Sequence, residues 1–208
     1  MIVVCLDLEG ILMPEIWMNV AEAVGVEALN KTTRDIPDYD RLMRMRLQIL
    51  RENGISFGEI QDIIRRIDPL PGAMELSRWI RCNYQLIILS DTFEEFFQPM
   101  QSKMEMPTIF CHALQIGDAG LIEDYRVRIR DHKRKTVASL KGLNYRVIAV
   151  GDSFNDLGML READAGILFR PSDALQPQFC DFPVTMEYGA LKAEISKSAE
   201  RFDRSGGR

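Results

Sequence analysis

The chain has 208 residues, enough for one sizeable core with an inserted or appended smaller unit. Hydrophobic residues make up 46% and charged residues 27%, a composition that excludes an intrinsically disordered protein. The formal net charge of -5 argues against a nucleic-acid partner, and no apolar run approaches the roughly 20 residues of a membrane span. We therefore expect a cytoplasmic protein that acts without nucleic acid or membrane.

The cysteines and histidines argue against two further classes, disulfide-stabilised proteins and zinc proteins. The four cysteines form no CxxC pair and lie far apart, at Cys5, Cys82, Cys111 and Cys180. We expect free thiols in a reducing cytosol rather than a disulfide framework. The two histidines are too few to favour a zinc site, and we expect His132, beside a lysine, to lie at the surface.

The first predicted element is a strand over residues 2–6, an apolar run typical of a strand that is buried on both faces of a parallel sheet. Asp7, Leu8, Glu9 and Gly10 follow it. Ligands bind at the carboxyl ends of strands in open α/β sheets, and residues two apart in an extended chain point the same way. Asp7 and Glu9 are therefore predicted to face one site.

A helical block without strands comes next and predicts a separate lobe inserted after the first strand. Apolar spacing and start signals predict helices over residues 16–24, 38–53 and 56–67. Ser56 and Glu59 fit a capping box at the start of the third helix. A Pro- and Gly-rich break ends the block, so we predict a helical cap over residues 14–70 and a catalytic core of residues 1–13 and 71–208.

Beyond the break, helices and strands alternate as in a doubly wound sheet. The predicted strands cover residues 85–89, 108–112, 146–150 and 165–169, with a hairpin over 114–128. The predicted helices cover residues 73–82, 93–104, 131–140 and 191–202, with one more after residue 156. The predicted fold class is α/β, with a Rossmann-like parallel-sheet core and an inserted helical cap.

A second acidic turn, with Asp152 and Asp156, follows the predicted strand over residues 146–150. Ionised carboxylates at neighbouring strand ends repel each other, so at least one pKa rises unless a cation is bound. Carboxylate oxygens suit Mg²⁺, which keeps several waters and bridges to substrate phosphate. With Asp7 and Glu9, this turn predicts a magnesium-dependent site that handles phosphate.

In such a site Asp7 could attack phosphorus and form an acyl phosphate. Glu9 could protonate the leaving alkoxide and later take a proton from the incoming hydroxyl. In-line transfer depends on positioning and charge neutralisation, which calls for a hydrogen-bond donor and a fixed positive charge near the phosphate. Ser90 can supply the donor, and Lys133, at a predicted helix start, can supply the charge.

Together these motifs resemble those of the haloacid dehalogenase superfamily. The chain has Asp-x-acid-Gly after the first strand, Ser after the second, Lys at a helix start and Gly-Asp-x-x-Asn-Asp after a later strand, in the family's order. The resemblance covers residues 2–169. It implies that Asp7 is the nucleophile, that Glu9 is the acid/base, and that Ser90 and Lys133 hold phosphate.

The resemblance also implies the metal set and one further phosphate contact. Asp152, Asp7 and the backbone carbonyl of Glu9 would bind the metal, and Asp156 would orient the metal's surroundings. Asn155 would contact phosphate.

A helical cap directly after the first motif further resembles the phosphoserine phosphatase branch of the superfamily. This resemblance implies that Glu15 pairs with the substrate ammonium, that Arg46 grips its carboxylate and that Tyr39 closes over the site. Glu15 and Arg46 are also suited to these roles by their charges, since a zwitterionic head group needs one anion and one bidentate cation. The implied substrate is O-phosphoserine.

Two departures from the branch's pattern are Glu9, where an aspartate is usual, and Ser90-Asp91-Thr92, where Ser-Gly-Gly is usual. The combination is similar to a bacterial variant that also transfers the phosphoryl group to homoserine, and we carry that transfer as a hypothesis. We interpret Asp91 as a charge at a helix start, stabilised by the helix dipole, in preference to a ligand, and we keep it among the substrate-binding candidates.

Two alternative functions stay open. One is a phosphatase for another small metabolite, such as a sugar phosphate or a nucleotide. The other is a catalytically silent protein that binds a phosphometabolite. The oligomeric state is also open, with a homodimer as one option.

Overall fold

The computed structural model describes residues 1–33, 35–36, 38–172 and 181–205. The strands of this described part are β1 (Ile2–Leu6), β2 (Gln85–Phe93), β3 (Ile109–Ile116), β4 (Ile122–Arg126), β5 (Arg146–Gly151), β6 (Ala165–Phe169) and β7 (Val184–Thr185). They form one sheet in the order β4-β3-β2-β1-β5-β6-β7. Only the β3–β4 pair is antiparallel among these strands. The predicted α/β class with a mainly parallel sheet is confirmed.

The α-helices of the described part are α1 (Ile16–Val24), α2 (Tyr39–Glu52), α3 (Phe57–Ile64), α4 (Ala73–Asn83), α5 (Glu94–Phe97), α6 (His132–Gly142), α7 (Leu157–Glu162) and α8 (Tyr188–Ser205). Helices α1 to α3 lie between β1 and β2 in the chain. The backbone N–H of Leu70 donates to the carbonyl of Leu12 at 3.0 Å, so this helical segment leaves and rejoins the rest of the chain at one place. Among the described residues, none of the helices combines the length and apolar character needed to span a bilayer.

The sheet is buried on both sides, which is why β1 has no polar residue. Successive side chains of a strand point to opposite faces. Val4 and Leu6 join a large cluster that also contains Leu47 of α2, whereas Val3 and Cys5 join a second cluster on the other face. The division into a cap of residues 14–70 and a separate core stays a prediction, because the first cluster contains side chains from both.

Local capping signals set several helix ends where the sequence predicts them. Gly25 ends α1 in the left-handed conformation, with φ of 69°. The Asp38 side chain caps α2 by accepting from the backbone N–H of Arg41 at 2.9 Å. Ser56 and Glu59 form the predicted capping box of α3. Pro37, part of the predicted start of α2, lies outside the described residues.

Several predicted boundaries are wrong. β2 does not end at residue 89 but continues to Phe93, because Phe93 pairs with His112 of β3 and the backbone stays extended. The helix predicted over residues 93–104 is only α5, which ends at Phe97, where a 3-10 turn over Gln98–Met100 that contains Pro99 follows. The predicted strand over residues 108–112 and the first half of the hairpin are one strand, β3. Helix α3 ends at Ile64 and does not continue through Ile67.

Candidate active site

The carboxyl ends of β1, β2 and β5, which are neighbours in the sheet, bring together most of the predicted site residues. Asp7 follows β1 directly, and Asp152 follows β5. Ser90 and Asp91 lie in the last half of β2, and Lys133 lies in the first turn of α6. The parallel arrangement therefore places four separate stretches of sequence around one point, as the strand-end rule predicts.

Lys133 lies at the centre of this group and is only 3% exposed. Its Nζ atom is 2.8 Å from Asp156 Oδ1, 3.0 Å from Asp7 Oδ1 and 3.4 Å from Asp91 Oδ2. Burial alone would lower the pKa of Lys133, but the carboxylates of Asp156, Asp7 and Asp91 raise it well above its usual value. The site therefore holds a permanent positive charge at the position where the sequence predicts a phosphate-binding cation.

Asp7 is 5% exposed, and its Oδ1 atom accepts from the backbone N–H of Leu8 at 2.7 Å as well as meeting Lys133. Burial, together with the nearby charges of Asp156 and Asp152, raises the pKa of Asp7 well above its usual value despite Lys133. Burial and Asp156 also raise the pKa of Asp152 to about 7. The ammonium of Lys133 therefore leaves negative charge in this group uncompensated.

Two features of the backbone fix the acidic turn. Both the Asp152 and the Ser153 N–H groups donate to Asp156 Oδ2, at 3.0 and 3.1 Å. Gly10 has φ of 77°, and a Cβ atom there would lie 2.5 Å from Asp152 Oδ2. The glycine of the first motif is thus required by its conformation and by the close approach of the Asp152 carboxylate.

Asp7, Asp152 and Asp156 form an acidic group able to hold a metal ion. Each offers a carboxylate oxygen, and these oxygens lie within 4.8 Å of one another. The raised pKa values of Asp7 and Asp152 mark an excess of negative charge that a divalent cation would neutralise. An all-oxygen donor set suits a hard cation. The Glu9 side chain is not in this group, and the predicted contribution of its backbone carbonyl stays a prediction.

A second group lies toward the helical segment and contains Glu9, Glu15 and Arg46. Glu9 Oε2 accepts from the backbone N–H of Ile16 at 2.9 Å. Burial raises the pKa of Glu9 to about 8, and the charge of Glu15 and a hydrogen bond with it add to this, whereas Arg46 opposes it. Glu9 is thus protonated at neutral pH, which is the state a general acid needs.

Arg46 is 6% exposed, whereas the other arginines of α2 are exposed. Its Nη2 atom donates to the Lys31 carbonyl at 2.7 Å, and the guanidinium lies 4.6 Å from the centre of the Trp17 ring. Its Nε atom is buried and has no hydrogen-bond partner within the described part of the chain. Burial lowers the pKa of Arg46 to about 10, so the side chain remains charged with a donor to spare.

Ser90 and Tyr39 complete the predicted set. Ser90 is buried, and its Oγ atom accepts from the backbone N–H of Thr92 at 3.2 Å. The Tyr39 hydroxyl, from the first turn of α2, donates to the backbone carbonyl of Asp91 at 2.9 Å. Tyr39 therefore joins the helical segment to the end of β2, and its role in covering the site stays a prediction.

Asp91 and Asn155 meet on the other side of Lys133. The Asn155 amide donates to Asp91 Oδ2 at 2.7 Å, and the Nε2 atoms of His132 and His112 lie 3.1 and 3.5 Å from Asp91 Oδ1. The interpretation of Asp91 as a helix-start charge is wrong, because the residue lies within β2. His132 is not at the surface but 3% exposed, packed 4.6 Å from His112 between ring centres.

Sequence reasoning missed both histidines as parts of the site. They are distant in sequence, on β3 and α6, and only the sheet order brings them to Asp91. A cleft of about 1240 Å³ opens beside them, and its lining includes Tyr39, Asp91, Lys133 and Asn155 of the predicted set. The cleft thus reaches the site from the side of Lys133.

Comparisons with known proteins agree with this geometry. A family model described as haloacid dehalogenase-like hydrolase matches residues 3–164. The chain is 49% identical to phosphoserine phosphatase ThrH of Pseudomonas aeruginosa over 96% of this chain and 97% of that protein. It is 48% identical to a phosphoserine phosphatase of Pseudomonas syringae pv. tomato, over 96% of this chain and 84% of that protein.

The fold is also that of solved phosphoserine phosphatases. A structure of a phospho-aspartyl intermediate analogue of phosphoserine phosphatase superimposes with a TM-score of 0.72 at 19% identity, covering 88% of this chain and 91% of that chain. At this identity the likeness concerns the fold alone. The family match covers most of the chain, and the site has the expected carboxylates and lysine at the ends of neighbouring parallel strands. The chain therefore belongs to the haloacid dehalogenase-like hydrolases.

Proposed function

We propose that this protein is a magnesium-dependent phosphoserine phosphatase that works through an aspartyl phosphate on Asp7. The observation that carries the proposal is the Asp7 carboxylate at the end of β1, 3.0 Å from the buried Lys133 ammonium and next to Asp152 and Asp156. The names of the two Pseudomonas relatives, at 48% and 49% identity, support the choice of substrate.

In the first step an Asp7 oxygen forms a bond to phosphorus while the bond from phosphorus to the serine oxygen breaks. Because Oδ1 is held by Leu8 and Lys133, we assign the attack to Oδ2. Glu9, protonated at neutral pH, delivers its proton to the leaving serine oxygen. The products of this step are serine and the aspartyl phosphate.

In the second step a water oxygen attacks phosphorus and the bond to Asp7 breaks. The Glu9 carboxylate takes a proton from the water, which restores both side chains and yields inorganic phosphate. Lys133, Ser90 and Asn155 hold the phosphoryl oxygens through both steps. Asp7, Asp152 and the Glu9 backbone carbonyl would hold Mg²⁺, with Asp156 orienting its surroundings, and the ion would supply charge neutralisation for the transferring phosphoryl group.

The amino-acid part of the substrate fits the second group of side chains. The spare Nε donor of Arg46 and its fixed charge suit the substrate carboxylate. Glu15, beside Glu9, suits the substrate ammonium, and Tyr39 closes over both. Transfer to homoserine is the same second step with the homoserine hydroxyl in the place of water.

The decisive experiment measures phosphate release from O-phosphoserine by the purified protein with Mg²⁺. We expect turnover by the wild type and its loss in Asp7→Asn, whereas Asp118→Asn, an exposed turn carboxylate, stays at the wild-type rate. Equal and very slow hydrolysis by the wild type and Asp7→Asn would instead favour a catalytically silent phosphometabolite-binding protein.

Two further measurements separate the finer proposals. In a substrate panel, Arg46→Ala should lose activity only toward carboxylate-bearing substrates. A uniform loss, or a preference for sugar phosphates or nucleotides, contradicts phosphoserine as substrate.

In single turnover with phosphoserine and saturating homoserine, we expect phosphohomoserine beside free phosphate. Free phosphate alone rejects the transferase hypothesis.

A further inference from the structure

Asp91, His112 and His132 form a polar cluster outside the acidic group, on β2, β3 and α6. The Asp91 carboxylate has two sides with different partners. Its Oδ1 atom faces the Nε2 atoms of His132 at 3.1 Å and His112 at 3.5 Å. Its Oδ2 atom faces the Asn155 amide at 2.7 Å and Lys133 Nζ at 3.4 Å. One carboxylate thus joins two buried histidines to two groups at the phosphate end of the site.

The protonation of this cluster follows from its contacts. Burial alone would raise the pKa of Asp91, but Lys133, the two histidines and Asn155 hold it well below its usual value, so Asp91 is an acceptor only. The backbone N–H of Arg128 points to Nδ1 of His112 at 3.4 Å, which leaves that nitrogen as an acceptor and places the ring proton on Nε2. Both histidines therefore present Nε2–H to Asp91.

The ring proton of His132 also lies on Nε2, because the form with the proton on Nδ1 is unfavourable. Its Nδ1 atom is buried without a hydrogen-bond partner among the described residues. A proton on Nδ1 would bury an unpaired N–H and turn the Nε2 lone pair toward the Asp91 carboxylate. Both effects are unfavourable, whereas the Nε2–H form leaves only an unpaired lone pair.

We propose that His112 and His132 are positioning residues for phosphoryl transfer, which hold the Asp91 carboxylate so that it fixes the Asn155 amide and the Lys133 ammonium at the phosphate end of the site. The inference rests on the proposed function, because it assigns these groups to phosphate. It assigns the histidines no contact with the substrate. They act through Asp91, and their removal leaves the carboxylate free to turn away from Asn155.

A metal ion is the competing occupant of this cluster, since the three side chains offer ligand atoms within 4.8 Å of one another. Two observations disfavour it. His112 would have to give up the Nε2 proton that the Arg128 contact places there. The Lys133 ammonium also lies 3.4 Å from the same carboxylate and would repel a second cation.

The first test does not depend on turnover. The chain has only two histidines, so a long-range ¹H–¹⁵N spectrum contains two imidazole patterns, which His112→Gln and His132→Gln assign. We expect the ring proton on Nε2 in both, unchanged when Zn²⁺ is added. An Nδ1–H form in either ring, or stoichiometric loss of the Nε2 protons on addition of Zn²⁺, overturns the proposal.

The second test asks whether His132 acts through Asp91. His132→Leu should lower kcat/KM for phosphoserine by about 10- to 100-fold. His132→Gln, whose amide can reach the same carboxylate, should recover most of this loss. In an Asp91→Ala background the further effect of His132→Leu should be less than about twofold, because the acceptor on which it acts is gone. Equal losses in both backgrounds overturn the proposal.

Controls separate this result from misfolding and from failure of the proposed function. Glu95→Gln removes the charge from another side chain that binds β3, through the Leu114 N–H, without contacting Asp91, and should retain activity. Far-ultraviolet circular dichroism and Tm report folding of each variant. If the wild type does not hydrolyse phosphoserine, the proposed function fails, whereas the histidine spectrum still shows whether the cluster has the inferred protons.

Discussion

Lys133 carries a positive charge that the buried Asp7 and Asp156 carboxylates and the half-buried Asp91 carboxylate share, so its removal should affect both catalysis and folding. We expect Lys133→Met to lower kcat/KM by about 10²- to 10³-fold through loss of charge stabilisation. We also expect the free energy of unfolding at pH 7 to fall by about 3–5 kcal/mol, since Asp7 and Asp156 stay buried without their cation. Kinetics and urea denaturation measure the two effects.

The control for this change lies two residues along the same helix. Lys135 is exposed, and Lys135→Met should leave both the activity and the free energy of unfolding near the wild-type values. At acidic pH the deficit of Lys133→Met should shrink, because protonated carboxyls no longer need a cation. A deficit that does not change with pH would contradict this account of Lys133.

Burial raises the pKa of Glu9, so the contribution of Glu9 to the free energy of unfolding depends on pH. Between pH 4.5, its ordinary pKa, and about pH 8, the folded state binds a proton that the unfolded state does not, so wild-type stability falls as pH rises. Glu9→Gln removes this term. In EDTA, the stability of Glu9→Gln relative to the wild type should rise by at least about 1 kcal/mol across that window and then level off. Urea denaturation at several pH values measures it; a constant difference would contradict the raised pKa.

Among single residues, local motifs were enough to predict which side chains lie together at the ends of the strands. Asp7, Asp152 and Lys133 are recognisable from their positions after apolar runs or at a helix start. His132 shows why the rest could not be predicted. Its burial comes from a contact with His112, 20 positions earlier, on a different element, and nothing in its neighbouring residues indicates that contact.

At the scale of elements, the turn between β1 and α1 depends on Gly10. Gly10→Ala should lower both the activity and the affinity for Mg²⁺, because the new Cβ atom meets Asp152 Oδ2. The left-handed backbone adds a stability loss of about 1–2 kcal/mol. Kinetics, metal titration by calorimetry and Tm measure these effects.

Gly54 supplies the matched control for Gly10. It also has a positive φ, 65°, but a Cβ atom there would meet nothing within 4 Å among the described residues. Gly54→Ala should therefore lose a similar amount of stability and keep its activity and its affinity for Mg²⁺. Equal losses of activity in the two variants would show that backbone strain, and not the Asp152 contact, explains the effect at Gly10.

Helix starts were predictable where a side chain caps its own helix, as at Ser56, whereas the predicted end of β2 was wrong because a neighbouring strand determines it. The stretch after Ser90 contains helix-forming residues, yet pairing with β3 keeps the backbone extended through Phe93. Sheet pairing is a long-range interaction, and it outweighs local preference here.

For the protein as a whole, we expect the binding of Mg²⁺ to raise the free energy of unfolding. Mg²⁺ that binds only the folded protein raises Tm, by the equivalent of about 2.7 kcal/mol at a hundredfold excess over Kd. We expect this rise in the wild type and in Asp118→Asn. It should be lost or strongly reduced in Asp152→Asn, which lacks one carboxylate of the acidic group. An equal rise in all three proteins would contradict the proposed metal position.

The alternation of helices and strands was enough to predict a parallel sheet with an inserted helical segment. The order of the strands was not, since it depends on which faces fit together after the chain has folded. The position of β1 between β2 and β5 is what brings Asp7, Asp91 and Asp152 to one edge. Motif order along the chain agrees with this arrangement without specifying it.

The hydrogen bond between Leu70 and Leu12 has a mechanical consequence. Residues 13–69 leave and rejoin the rest of the chain at two adjacent positions, but their side chains also pack into the first hydrophobic cluster, and the Tyr39 hydroxyl donates to the Asp91 carbonyl. Any movement of this segment against the sheet has to break contacts that lie beside Asp91. The covering of the site and the arrangement of its side chains are therefore coupled through the end of β2.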